Sequence, residues 1–399
     1  MTHNDIYEES VTLHKKLKGK LEITSKIKLE NKHDLALAYT PGVAGVCKEI
    51  AEDERKAYSL TIKHNTIAIV SDGSAVLGLG NIGPYGAIPV MEGKAILFKE
   101  YANIDAFPIC VQTQNTYEII SLVKNIAPVF AGVNLEDISA PRCFEIEQAL
   151  QQIGIPVFHD DQHGTAIVLL AALMNAAKVA GKDLRQLNVV INGAGAAGTA
   201  IANLLRCVGQ DKRICEPVKN IIVCDSKGII SVDRHDIIND QYKLRLASIS
   251  NHQNIQGTLT DAMKGADVFI GVSKGNLLKP EVIQSMNEKP IIFAMANPTP
   301  EIMPDEALSA GAYIVGTGRS DFPNQVNNVL AFPGVFRGAI DAHAKTITNS
   351  MKIGAAFALA ESVKNPTRDN ILPSPLDKTV PKKIAERVAK IYKEEECYM

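Results

Sequence analysis

The feature that most restricts what this chain can fold into is a glycine run set between two structural signals. Gly193-Ala-Gly-Ala-Ala-Gly198 follows a short apolar run, Leu187-Asn-Val-Val-Ile191, and precedes an Ala- and Leu-rich segment, Thr199–Leu205. The first predicts a strand and the second a helix. Glycines at such a junction permit a tight turn, leave room for a ligand against the backbone and let helix and strand pack closely. The helix start then offers free N–H groups and a partial positive charge to a phosphate. A second apolar run, Asn220-Ile-Ile-Val-Cys224, ends in Asp225. A carboxylate there can accept hydrogen bonds from ribose hydroxyls and repel a 2′-phosphate. The order strand, turn, helix, strand, acid predicts a dinucleotide site made by Gly193, Gly195, Ala196, Ala197, Gly198 and Asp225. Asp225 lies further from the glycines than the roughly 20 residues usual in such sites. The polar stretch Gln210–Lys219 accounts for this as an extended loop.

A second match, Gly78-Leu-Gly-Asn-Ile-Gly83, is followed at once by Pro84 and then by Pro89. No Ala-rich helix and no strand ending in an acid is expected promptly after it, so it reads as a glycine-rich turn lining a cleft.

Further strands are expected at Asp267–Val272, Pro290–Met295 and Tyr313–Gly316, with a helix over 164–180. Strands alternating with helices argue a parallel, doubly wound sheet. Before it, 61–70 reads as a strand ending at the turn Ser71-Asp72-Gly73, within a mixed pattern that runs to about residue 160. Helical patterns return after about 335, including Asp377–Tyr392. The fold class is α/β: an N-terminal α/β domain over 1–160, then a Rossmann-like doubly wound domain with C-terminal helices over 161–399. A length of 399 residues suits two or three domains.

Composition excludes several classes. With 46% hydrophobic and 22% charged residues the chain is not expected to be disordered. A net charge of −2 argues against nucleic acid as a partner. The seven cysteines, odd in number and without a Cys-x-x-Cys pair, read as reduced thiols. The N-terminus has no signal-peptide core, and the longest apolar stretch, Ala166–Met174, is half of the roughly 18 residues that would suggest a membrane span. A cytoplasmic protein is expected. The basic segment Leu13–Lys20 reads as a solvated helix face.

Candidate chemistry clusters in the first half. Glu136 and Asp137 follow an apolar run, Pro128-Val-Phe-Ala131, expected as a strand; Asp160 and Asp161 follow Val157-Phe-His159. Carboxylates at the ends of neighbouring strands suit a hard divalent cation such as Mg²⁺ or Mn²⁺, although acids at strand ends are more often solvated or cap helices. His159 and His163, four apart around an apparent turn, are more readily structural than zinc ligands. Lys94, among apolar neighbours, would have a lowered pKa if buried and so serve as a base, or else snorkel to the surface. Tyr39 precedes a Pro-Gly turn.

Taken in order, Tyr39-Thr-Pro-Gly-Val-Ala, Ser71–Gly83, Asn134-Leu-Glu-Asp, His159-Asp-Asp-Gln-His-Gly-Thr-Ala, Ala296-Asn-Pro-Thr299 and Gln325–Gly334 resemble the malic enzyme family in its short prokaryotic form. The resemblance implies oxidative decarboxylation of (S)-malate to pyruvate with NAD, or NADP, and Mg²⁺ or Mn²⁺. It implies Tyr39 as general acid, Lys94 as general base paired with Asp160, and Glu136, Asp137 and Asp161 as metal ligands. Asn297 and Asn328 would contact substrate or nicotinamide, and substrate and metal residues would lie mostly in the N-terminal domain. A homodimer, or a tetramer built from dimers, would be the usual state. Asp225 favours NAD, with Lys227 nearby weakening that preference. The larger family members carry an arginine in the loop matching Gly73–Leu77, and this chain has none, so another group must hold the distal malate carboxylate. The competing readings are a metal-dependent oxaloacetate decarboxylase of the same fold and a non-catalytic NAD-binding regulator.

Overall fold

Two sheets carry the predicted strands. The structure is a computed structural model that describes residues 3–208 and 215–397. Residues 210–214 of the expected extended loop therefore lie outside the described residues. The first sheet contains β1 (Thr66–Ser71), β2 (Asp105–Cys110), β3 (Gly132–Leu135) and β4 (Val157–His159), all parallel in the order β2-β1-β3-β4. The second contains β5 (Asn188–Asn192), β6 (Asn220–Asp225), β7 (Gly228–Ile229), β8 (Val268–Gly271), β9 (Ile291–Ala294) and β10 (Ile314–Thr317). Its order is β10-β9-β8-β5-β6-β7, parallel except where β7 pairs antiparallel with β6. The chain leaves β5 for β6 on one side and later returns to β8 on the other. That reversal opens a crevice at the carboxyl ends of the strands, where such sheets bind ligands. The α/β class and the doubly wound second sheet are as expected.

Some local expectations shift, each for a backbone reason. β1 begins only at Thr66, because Ile62–His64 forms a 3₁₀ turn capped by Thr61. The apolar run Pro128–Ala131 is not a strand. Ala127–Val129 is 3₁₀, with Pro128 in its first turn, and β3 starts at Gly132. A 20-residue helix, Gly83–Ala102, does follow the first glycine run. Pro84 sits at its start, where a missing N–H costs no hydrogen bond. Cys207 and Cys215 form a disulfide, against the expectation of reduced thiols throughout. Their Cα atoms lie 5.7 Å apart, within disulfide reach, which sequence spacing does not reveal.

Helix Asp160–Ala180 ties the sheets together. It begins four residues before the expected start and is buried on most sides. By length and composition it could cross a membrane, unlike the shorter stretch read from the sequence, but 72% of its apolar window is buried inside the fold. It is a core helix. One hydrophobic cluster runs from Ile67 and Ile69 of β1 through this helix to Val189 and Ile191 of β5.

The C-terminal helices return to the first sheet. Phe332 and Phe336, on helix Phe332–Asp341, meet the Phe98 ring edge-on at 4.7 and 5.4 Å between centroids. Phe158 of β4 meets Phe336 at 5.7 Å. Helix Val380–Glu396 closes over Gly334 and Gly338; a Cβ on Gly338 would lie 2.5 Å from the Ala385 carbonyl oxygen. By contrast, helices Lys32–Ala38 and Val43–Glu52 bury none of their residues. Leu13, Leu17, Leu35, Leu37 and Leu60 are all exposed on this N-terminal segment.

Removing a buried aromatic ring leaves a cavity as well as lost transfer energy. Phe336→Ala is expected to destabilise the chain by about 3–5 kcal/mol. A lowered midpoint in urea unfolding would show it. An unchanged midpoint would mean that the aromatic cluster does not anchor the C-terminal helices.

Candidate active site

A cavity of about 550 Å³ lies between the two sheets. Lys94, Glu136, Asp137, Asp161, Gly195, Ala196, Ala197, Asn297 and Asn328, all singled out from the sequence, line it.

The acids converge because two parallel strands end side by side. Glu136 and Asp137 follow β3, and Asp160 and Asp161 open the helix that follows β4. Neighbouring side chains on a strand point apart. Asp137 escapes this by taking a left-handed conformation, φ +53°, which aspartate tolerates better than most residues. Its backbone N–H donates to Asp161 Oδ2 at 2.9 Å. One ligand oxygen from each of Glu136, Asp137 and Asp161 lies within 4.8 Å of the others. Burial first, then repulsion by Asp160, pushes the Asp161 carboxyl up to about 6. Glu136 is raised chiefly by burial, with Asp161 adding to it. Crowded carboxylates, Glu136 and Asp137 buried and Asp161 partly exposed at a helix start, fit a hard divalent cation, whose charge would relieve their mutual repulsion.

Lys94 enters from helix Gly83–Ala102. Its Nζ lies 2.8 Å from Glu136 Oε1 and forms an ion pair with Asp160. Asn328 Nδ2 also donates to Asp160, and Asn134 Nδ2 donates to Glu136 Oε1 at 2.8 Å. The Phe332 ring covers the ammonium at 4.6 Å from its centroid. Burial alone would lower the Lys94 pKa, as the sequence reading supposed. Asp160, Glu136 and Asp161 outweigh it and hold the pKa above the usual lysine value. Gly164 makes room for this arrangement, since a Cβ there would sit 1.8 Å from Asp160 Oδ1 and 3.1 Å from the Asn328 Cβ. His159-Asp-Asp-Gln-His163 is therefore strand end and helix, not a turn. His163 Nε2 pairs with Glu147 at 2.8 Å, and His159 is fully buried.

On the facing side, Gly193 has φ +132°, and a Cβ there would meet the Val272 carbonyl oxygen at 2.7 Å. A Cβ on Gly198 would lie 1.8 Å from the Gly193 oxygen. These two glycines serve the turn itself. Gly195 has open space beside it and caps helix Ala196–Leu205 without any side-chain hydrogen bond. Its free N–H groups suit a pyrophosphate. Gly78, from the other glycine run, also lines the cavity; a Cβ there would lie 2.2 Å from the Asn297 carbonyl oxygen.

Asp225 ends β6 as expected but is not free. Arg234 donates to both of its oxygens at 2.9 and 3.0 Å, and Lys243 donates at 2.8 Å. Neither partner is near it in sequence, so only the fold reveals the pairing. Arg142 was missed likewise. It reaches the arginine-free loop, donating to Asp72 at 2.6 Å and to Ser74 Oγ at 2.8 Å. Tyr39 stands apart. It is 66% exposed and does not line the cavity.

Comparison with known proteins gives the same assignment over most of the chain. Residues 162–393 match the family model "Malic enzyme, NAD binding domain", and 18–119 match "Malic enzyme, N-terminal domain". The chain is 54% identical to the bifunctional malic/malolactic enzyme of Bacillus subtilis (strain 168), covering 96% of this chain and 92% of that one. It is 53% identical to an NAD-dependent malic enzyme of Geobacillus stearothermophilus, over 93% of this chain and 76% of that one. The solved structure of the NAD-dependent malic enzyme of Thermotoga maritima superposes with a TM-score of 0.91 at 49% identity, over 95% of this chain and 98% of that one. With two sheets, an acid cluster and a glycine turn facing one another across one cleft, the chain belongs to the malic enzyme family.

Proposed function

We propose that the chain oxidises (S)-malate and decarboxylates it to pyruvate and CO₂, reducing NAD or NADP with a divalent cation bound. The observation that carries this reading is the Lys94–Asp160–Glu136 ion-pair cluster beside the acid triad, facing the glycine turn in one cleft. Glu136, Asp137 and Asp161 would hold Mg²⁺ or Mn²⁺, and Gly193–Gly198 would hold the dinucleotide. When bound, the cation supplies stabilisation of negative oxygen during oxidation and decarboxylation, and the nicotinamide takes the hydride. With the charges of Glu136 and Asp161 neutralised, burial at Lys94 would be opposed by Asp160 alone, which shifts the ammonium toward the neutral amine. That amine takes the malate hydroxyl proton, and Asp160 keeps it aimed and stabilises the ammonium that results. Asn328, fixed on Asp160, and Asn297, packed against Gly78 and Gly318, orient the substrate across the cleft. Arg142 does not line the cavity; paired with Asp72 and bonded to Ser74, it would shape the arginine-free loop. Because Arg234 and Lys243 already neutralise Asp225, its repulsion of a 2′-phosphate is blunted, which supports use of both cofactors.

Tyr39 would donate the proton to the enol carbon. We infer that a second copy of the chain brings it to the site, in a homodimer that covers the apolar N-terminal segment. The support is that Tyr39 lies outside its own chain's cavity, on a segment whose helices bury nothing.

Reduced nicotinamide should form from L-malate only with Mn²⁺ or Mg²⁺, in step with pyruvate. Metal-dependent loss of CO₂ from oxaloacetate without reduction of either cofactor would favour the decarboxylase reading. Lys94→Ala should lower kcat by about 100-fold or more while NAD binding, followed by fluorescence, stays near wild type. Retained turnover would remove Lys94 as the base. If Tyr39 acts across the dimer, refolding an equal mixture of inactive Tyr39→Phe and Lys94→Ala chains should restore about a quarter of wild-type specific activity. Half of the dimers are then mixed, and each has one intact site. No recovery would place Tyr39 within its own chain's site, and full activity of Tyr39→Phe alone would end its role.

A further inference from the structure

A second cavity, of about 450 Å³, lies on the other side of helix Asp160–Ala180 from the acid cluster. Glu147, Gln162, His163, Asn203, Arg245 and Lys352 are among the residues that line it. Two of these, Glu147 and His163, satisfy each other. Both Glu147 oxygens bind His163 Nε2, at 2.8 and 3.0 Å, and Oε1 also accepts the His159 N–H at 3.3 Å. Three other groups are not satisfied. Lys352, only 9% exposed, has no hydrogen bond or ion pair among the described residues. Gln162 Nε2 and Asn203 Oδ1 are buried without a hydrogen-bond partner. Exposed Arg245 stands at the rim, in no ion pair among the described residues.

A long cation is seldom buried without a partner, and orphaned polar atoms in a core are rare. Burial lowers the Lys352 pKa, with the charge of Glu147 opposing this. Three such groups around one roomy cavity have complementary needs. Lys352 and Gln162 are donors seeking an anionic oxygen, and Asn203 Oδ1 is an acceptor seeking an O–H or N–H. The mechanism proposed above uses none of them.

We propose that this cavity is a second ligand site, for a small anion that presents a carboxylate or phosphate oxygen to Lys352 and Gln162 and a hydroxyl or amine donor to Asn203. The site is distinct from the malate cleft, yet one hydrogen bond links its wall to the last residue of β4, next to Asp160 at the start of the following helix. Glu147 binds the backbone of His159, the residue just before that aspartate.

Two probes carry this chemistry in different forms: inorganic phosphate near neutral pH, with its P–OH group, and glycolate, with a carboxylate and a hydroxyl. Each is titrated by calorimetry into protein saturated with NAD, which covers the glycine turn. One site per chain is expected for at least one probe, and the probe that binds identifies the anion class. Lys94→Ala should keep this affinity, which excludes the malate cleft. Lys352→Met should weaken it at least about tenfold, the loss expected for one charged hydrogen bond. Its melting temperature should equal or exceed wild type, because an unpaired buried charge is gone. Gln162→Met provides a second variant with the same expected loss should Lys352→Met fold poorly. No saturable binding of either probe to wild type, the result expected if only water fills the cavity, overturns the proposal. So does equal affinity in the Lys352 and Gln162 variants.

Discussion

Four carboxylates and one ammonium share a cleft largely closed to water, and the fold is arranged so that their desolvation is compensated. A buried charge without a partner is expensive, and losing one member of such a group typically costs about 3–5 kcal/mol. Lys94 answers Asp160 and Glu136, Asn328 and Asn134 add hydrogen bonds, and the Asp137 backbone answers Asp161. These groups come from β3 and the residues just after it, from helices Gly83–Ala102 and Asp160–Ala180, and from the far end of the chain. The cluster therefore depends on the registration of both sheets and on the helix between them.

The second sheet was the more legible part of the sequence. Its strands are short, apolar and bounded by turns, and the glycine run marks β5 and its helix without help from tertiary structure. The first glycine run was legible as cleft lining, since Gly78 borders the cavity, but not as the start of a helix: Pro84 sits in the helix's first turn, which accepts it, and Pro89 lies within the same helix. The acids were visible as strand-end pairs, but their convergence depends on the left-handed backbone at Asp137 and on Gly164, and neither is a property of spacing. Asp225 shows the same limit. Its position follows from the strand pattern, but its neutralisation by Arg234 and Lys243 arises from a fold-back that pattern alone does not encode.

On the proposed reading, cofactor choice here rests on charge balance more than on one acid. A free carboxylate at the end of β6 would discriminate sharply against a 2′-phosphate. One held by two cations contributes far less, and the surrounding positive charge can offset it.

The route of the chain has a consequence for how the molecule is made. The first sheet is synthesised early, yet the rings that complete its core, Phe332 and Phe336, arrive only near the end, with helix Val380–Glu396 sealing them. The dinucleotide-binding half is contiguous between these two visits. As the chain emerges from the ribosome, that middle portion has all its strands in hand while the opening portion still exposes an unfinished apolar face. A chain truncated in its last helices would thus leave exposed the sheet made first, at the opposite end of the sequence from the lesion.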